Sequence, residues 1–269
     1  QVVHRYSLGY QEAVKFAGLL SVQSYTSLAP ISQISTRRLK LLPLSAQILS
    51  TVLDQIKPGR VIFVAGGLRE GIAFSRLPSE EQQRDPLITV CMDIAKRAAR
   101  FPGHGKELAD WLAPLFPVET EEQARLRYAA CLLCDIAWSV HPGYRSEYAL
   151  MEAALMQAPM DHFDRAFLGL ATMTRYGRNR IPKFAGQIQS LIDSDSLDRA
   201  RAIGLAARVG ETLSGGVPGV LSKFSLALGK KEIIISCSKK SSVLVGHVVR
   251  ERFKALAKHL QLQARYSLE

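Results

Sequence analysis

The sequence predicts an α/β segment, then a mainly α-helical domain, then a small α/β cap. Three observations carry this. The first seventy-odd residues alternate short runs of β-formers with amphipathic helical patterns and end on a strand, a glycine turn and a helix start. From about Pro78 the apolar residues recur at helical spacing throughout. "SGGVPG" at 214–219 is the clearest linker signal, and two β-rich runs follow it. The predicted boundaries are 1–77, 78–213 and 214–269, and 269 residues suffice for a core in more than one of these parts.

In the first part, "VVHRYSL" reads as a short strand. "YQEAVKFAGLLSVQ" follows as an amphipathic helix with Ala13, Phe16, Ala17 and Leu20 on one face. "PLSAQILSTVLDQI" is a second helix, ended by Lys57, Pro58 and Gly59. "RVIFVA" then reads as a buried strand, and "GGLREGIAF" makes it a βα junction.

In the second part, helices are predicted near 85–100, 105–115, 119–140, 144–157, 162–175 and 196–213. They are separated by "FPGHG", "FPVET", "HPG", "APMD" and "SDSLD". Asp161 and Ser196 are expected N-caps. In the cap, "KFSLALG" and "KEIIISCS" form a hairpin around Gly229 and Lys230, "HVVRERFKALAKHL" is an amphipathic helix, and "QLQARYSL" returns as an edge strand.

The apolar runs are far shorter than a bilayer span, and no basic n-region with an apolar h-region opens the chain, so a cytoplasmic location and no membrane are expected. The first residue is Gln1, which predicts a chain that begins inside a longer polypeptide. Four cysteines do not make a disulfide scaffold. Cys131 and Cys134 form a C-x-x-C among Ala, Leu and Ile with no second pair at zinc-finger spacing, so they read as buried apolar thiols.

The net charge of +11 is uneven. Residues 1–77 carry nine basic and three acidic residues, 78–194 thirteen and fifteen, and 195–269 thirteen and six. Two basic parts flanking a near-neutral middle suit a polyanionic partner, or else a solvated basic face. The basic stretch "GKKEIIISCSKKSS" has no aromatics for base stacking, which favours a phosphate polymer or a solvated face over nucleic acid.

Three motifs bear on chemistry. In "AGGLREG", the amides of Gly66 and Gly67 lie at a helix start where an anion is favoured, with Arg69 one step further; a tight turn with Arg69 and Glu70 paired to neighbours is the alternative. "AACLLCDIAWSVHPGYR" at 129–145 is similar to the segment in which a histidine-aspartate (HD) phosphohydrolase carries its metal pair, but Cys134 stands before Asp135. A working set needs several imidazoles and carboxylates converging. Only His141 and His162 are near in sequence, and "MTRYGRN" at 173–179 offers no imidazole. Asp135 therefore reads as structural, capping or pairing with Arg145 or Arg175. G-x-S-x-G, Walker A, G-x-G-x-x-G after a strand and H-E-x-x-H are all absent.

"VIFVAGGLREGIAF" resembles the bacterial exopolyphosphatase and guanosine pentaphosphate phosphatase family. Further blocks match in order: "VVHRYSLGYQEAVKFAGLL", "RRLKLLPLSAQILSTVL", "CDIAWSVHPGYRSE", "HFDRAFLGLATMTRYG" and "ARAIGLAARVGETLSGGVPGVL". "DIAWSVHPGYR" followed by "RAFLGLA" is similar to the alphaproteobacterial branch. The resemblance implies that 1–77 is the C-terminal part of the second actin-like (ribonuclease H-like) lobe, that 78–213 is a degenerate HD-like domain, and that 214–269 is the cap. "RYG" stands where relatives often show Tyr-Arg-His, a further departure from a metal set.

The same resemblance implies an enzyme that removes the terminal phosphate of inorganic polyphosphate by magnesium-assisted attack of water. The family's Asp-x-Gly-Ser loop, Gly-Gly-Gly-Ser loop and carboxylate base are not in this sequence. The chain alone is thus expected to hold no Mg2+, to be inactive, and to contribute polyphosphate binding and homodimerisation. Gly66, Gly67, Arg69 and Glu70 are expected at the edge of the cleft, with Arg37, Arg38, Lys239 and Lys240 steering the polymer. Alternatives are a guanosine pentaphosphate 5'-phosphatase, a non-catalytic phosphate- or nucleotide-binding module and, third, an independent metal phosphohydrolase.

Overall fold

The computed structural model describes residues 4–31, 34–177 and 185–268. The chain divides into two compact units, Gln1–Ile72 and Ala73–Glu269.

In the first unit, β1 (Tyr6–Gly9) runs into α1 (Tyr10–Ser21), a single turn α2 (Tyr25–Leu28) and the long α3 (Thr36–Ile56), followed by β2 (Arg60–Phe63) and the start of α4 (Leu68–Ser75), whose last three residues fall in the second unit. Val2 and Val3 of the expected first strand lie outside the described residues. β1 and β2 pair antiparallel, Tyr6 opposite Phe63 and Leu8 opposite Val61. The inward residue Leu8 packs with Ala13 of α1 and Leu53 of α3. Small residues on α1 let α3 lie close, as the burial of Ala13 and Ala17 shows.

Pro43, expected near a helix start, lies inside α3, which begins seven residues earlier at Thr36. A proline there removes one backbone hydrogen bond. Leu39, buried upstream of it, supplies a packing reason for the extra turns. α3 ends at Lys57, held in the left-handed region at φ +46 with its N–H on the Leu53 carbonyl 2.8 Å away, and Pro58 prevents continuation.

The second unit is mainly helical with a small sheet toward its C-terminal end. Its helices are α5 (Ser79–Gln83), α6 (Pro86–Ala98), α7 (His104–Leu112), α8 (Glu121–Leu132), α9 (Arg145–Leu155), α10 (His162–Tyr176), α11 (Ala185–Gln189) and α12 (Ser194–Ser214). β3 (Phe224–Leu228) and β4 (Glu232–Cys237) form the expected hairpin, α13 (His247–His259) crosses over, and β5 (Gln263–Leu268) pairs parallel to β4.

Side-chain acceptors explain several starts. Asp85 precedes Pro86 and accepts from Leu87 and Ile88; Thr120 and Gln123 form a reciprocal capping box; Asp161 caps α10 as expected. Ser196 is not a cap: Asp193 fills that role, accepting the Ser196 N–H at 2.8 Å, so α12 starts two residues before the expected position.

Two buried clusters organise this unit. One joins α6, α8, α9 and α10 through Leu87, Leu126, Leu150 and Phe167. The other joins α7 and α12 to the sheet and α13, placing Leu108, Trp111 and Leu112 with Phe224, Ile233 and Phe253. The Trp111 indole N–H donates to the Phe224 carbonyl at 3.0 Å across that seam.

Candidate functional site

The helix predicted over 119–140 is interrupted, and the interruption builds a polar centre. α8 stops at Leu132 and the chain continues to Val140 in tight i,i+3 turns, among them Ile136 N–H to Leu133 and Trp138 N–H to Asp135. The Ala137 N–H donates instead to the Tyr176 hydroxyl oxygen at 2.9 Å. Cys134 and Asp135 are thereby turned toward α7, the end of α10 and α12. Gly105 on α7 permits the approach, because a Cβ there would sit 2.8 Å from the Leu132 Cα.

Asp135, 6% exposed, accepts from Arg100 three times: Nε to Oδ2 at 2.9 Å, Nη2 to Oδ1 at 2.8 Å, and the backbone N–H to Oδ2 at 3.1 Å. Arg175 Nη2 lies 3.9 Å from Oδ1. Glu211, a charged residue on the buried face of α12, accepts from Arg175 at 3.3 Å and Arg100 at 3.4 Å through Oε2. Its Oε1 accepts from the Cys134 thiol at 3.1 Å and faces His104 Nε2 at 3.3 Å. Ser214 Oγ, 3.1 Å from His104 Nε2, closes the group.

Burial opposes the Glu211 charge. The His104 hydrogen bond and the Arg175 guanidinium outweigh it and bring the carboxyl down to about 2. The Arg100 guanidinium is held above its ordinary value, chiefly by its hydrogen bond to Asp135. Burial pushes the Cys131 thiol up to about 12 and Cys134 well above its usual range.

Two guanidiniums thus face two carboxylates. This donor set does not suit a divalent cation, which needs the same carboxylate oxygens free of bound guanidinium. Among the described residues no group of three His, Cys, Asp or Glu is placed to hold a metal. The space left beside His104, Cys134, Asp135 and Glu211 is about 10 Å³, room for no more than one water. The centre therefore ties helices together and offers no substrate chamber.

Of the expected partners of Asp135, Arg175 is nearby and Arg145 is not: Arg145 donates to the carbonyls of Val140 and Trp138. His141 binds the Gly143 N–H in its own loop. The residues expected to meet phosphate lie elsewhere, all exposed. At the glycine turn, Glu70 Oε2 accepts the Gly67 N–H at 2.7 Å, so the carboxylate occupies the amide offered to an anion, and that bond lowers its pKa. Gly66 lies beside it, and Arg69 has no ion pair among the described residues. Arg37 and Arg38 stand in the first turn of α3, whereas Lys239 and Lys240 follow β4 in the other compact unit.

Arg100, His104 and Glu211 were not legible as a group, because they come from segments over a hundred residues apart. Glu211 alone gave a signal: it stands among the small residues Ala207, Gly210 and Ser214 on one helix face.

These features define a helical domain with an ion-paired polar centre, closed by a small sheet that shares its core. A sequence profile described as "Exopolyphosphatase, C-terminal" matches residues 87–266, and the chain belongs to that family. It is also similar to Retrograde regulation protein 2 of Saccharomyces cerevisiae, 26% identical over 220 residues, covering 75% of this chain. The match spans 36% of that relative's length.

Proposed function

We propose that this chain is the C-terminal part of an exopolyphosphatase that hydrolyses the terminal phosphate of inorganic polyphosphate in the cytoplasm. The family match over residues 87–266 carries the reading. On this reading 1–77 completes an actin-like lobe, 78–213 is an HD-like domain and 214–269 its cap. Cys134 and Asp135 are the remnant of the HD pair, and the guanidiniums of Arg100 and Arg175 supply the positive charge that metals provide in a working site.

Mg2+ belongs to the phosphate loops outside this sequence. This portion extends the polyphosphate-binding surface, with Arg69, Arg37, Arg38, Lys239 and Lys240 as exposed cations, and contributes to a homodimer.

The test is release of phosphate from long-chain polyphosphate with Mg2+, by this chain and by the protein extended N-terminally through both phosphate loops. Activity in the extended protein alone supports the reading. Turnover by this chain alone defeats it, and so does an extended protein that cleaves guanosine pentaphosphate and leaves polyphosphate intact.

A further inference from the structure

Beside the balanced centre lies a group of arginines that is not balanced. Arg208 on α12, Arg252 on α13 and Arg175 in the last turn of α10 stand on packed helices, α12 contacting both α10 and α13. Arg175 shares its charge with Glu211 and Asp135, but its Nε is buried without an acceptor. Arg208 and Arg252 are half-buried, and neither has an ion pair among the described residues. Residues 178–184, which follow Gly177 in sequence, include no Asp or Glu.

The Arg252 side chain is held in place. Arg252 Nη1 donates to Thr212 Oγ1, and that hydroxyl donates to the Arg208 carbonyl at 2.6 Å. The Arg208 guanidinium lies against Gly177, which has φ +31; a Cβ there would be 3.2 Å from Arg208 Cζ and closer still to Nη1. The positive φ favours glycine at this position, and a Cβ there would displace the end of the Arg208 side chain.

Burial, then the neighbouring Arg175, lower the Arg208 pKa; burial, then Arg208 and Arg175, lower that of Arg252. Partly desolvated like charges without a counter-ion are unfavourable unless an anion joins them.

We propose that Arg175, Arg208 and Arg252 form an anion site that takes a phosphate group, either orthophosphate or one unit of a phosphoanhydride chain. Forked guanidinium donors from three helices match the several oxygens of such a group. The polymer arm rests on the polyphosphate reading above; the orthophosphate arm does not.

The experiment titrates the purified protein with orthophosphate, tripolyphosphate and long-chain polyphosphate at fixed ionic strength, by calorimetry and by the shift in Tm. Phosphate ligands are expected to raise Tm, and the Arg208→Gln/Arg252→Gln variant to lose roughly tenfold or more in affinity. A Lys96→Gln/Lys106→Gln variant, which removes the same two charges from an exposed surface, is expected to bind as the parent does.

Absence of any Tm shift with every phosphate ligand overturns the site, as does an unchanged affinity in the arginine variant. If that variant does not fold, Arg208→Lys/Arg252→Lys keeps the charge and removes the forks; binding equal to the parent then overturns the proposal, and weakened binding supports it. Orthophosphate binding without polyphosphate hydrolysis by the extended protein defeats the enzyme reading and leaves the site. Hydrolysis without phosphate binding here does the reverse.

Discussion

Arg100 holds Asp135 with Nε and Nη2, one edge of its guanidinium, and with its own backbone N–H, three donors on one buried carboxylate. The loop after α6 is thereby fixed to the turn after α8. Asp135→Asn is expected to destabilise the protein by about 2–4 kcal/mol, because it leaves Arg100 and Arg175 short of a counter-charge. Arg100→Gln is expected to cost at least as much, since it leaves the more buried Asp135 carboxylate without its principal counter-charge. Urea unfolding of both single variants and the double checks this; additive effects would mean that the pair is not coupled.

Glu211 sets an acid limit. Its carboxyl falls from an ordinary 4.5 to about 2 in the folded protein, so the unfolded state binds the proton first. The resulting stabilisation, roughly 3 kcal/mol, is complete above the unfolded value and fades as pH drops from about 4.5 to about 2. Glu211→Gln is expected to be less stable at pH 7 and to lose less stability over that acid window. Parallel stability–pH curves for the two proteins would refute this.

The shared core makes a cooperative prediction. Phe253 is fully buried among α7, α12 and sheet residues, so Phe253→Ala is expected to cost about 3–5 kcal/mol. It is also expected to lower the unfolding midpoint of the helical part together with that of the cap. Separate far-ultraviolet and tryptophan transitions would show that the seam is weaker than its packing suggests.

The thiols give a chemical check. Cys91, Cys131 and Cys134 are buried, and burial pushes the Cys91 and Cys131 pKa values up to about 12. A disulfide-exchange reagent at pH 7.5 is expected to label these three only as the protein unfolds. Rapid labelling of the native protein would require an open α8 terminus.

Local chemistry was readable where it was strong. The hairpin, α13, the caps at Asp161 and Lys57–Pro58, and the burial of both C-x-x-C thiols follow from short-range pattern. The break of α8 after Leu132 was not readable, because its cause is distant: Tyr176 takes the Ala137 N–H and Arg100 takes Asp135. The start of α3 was misplaced for a similar reason, Leu39 finding a buried position that Pro43 alone argues against. Asp135 reads as a structural carboxylate, capping or paired with Arg145 or Arg175, yet its principal partner, Arg100, follows a helix 35 residues upstream. The expected phosphate contacts remain exposed side chains, whose pattern alone does not distinguish binding from solvation.

The two tryptophans divide the molecule optically. Trp111, 8% exposed, reports the seam through its bond to Phe224; Trp138, 41% exposed, bonds the Ala98 carbonyl next to the polar centre. Blue-shifted emission that resists an aqueous quencher therefore belongs to the first, and red-shifted, quenchable emission to the second. Loosening of the cap and loosening of the Asp135 turn acquire separate colours in one spectrum, with no label added.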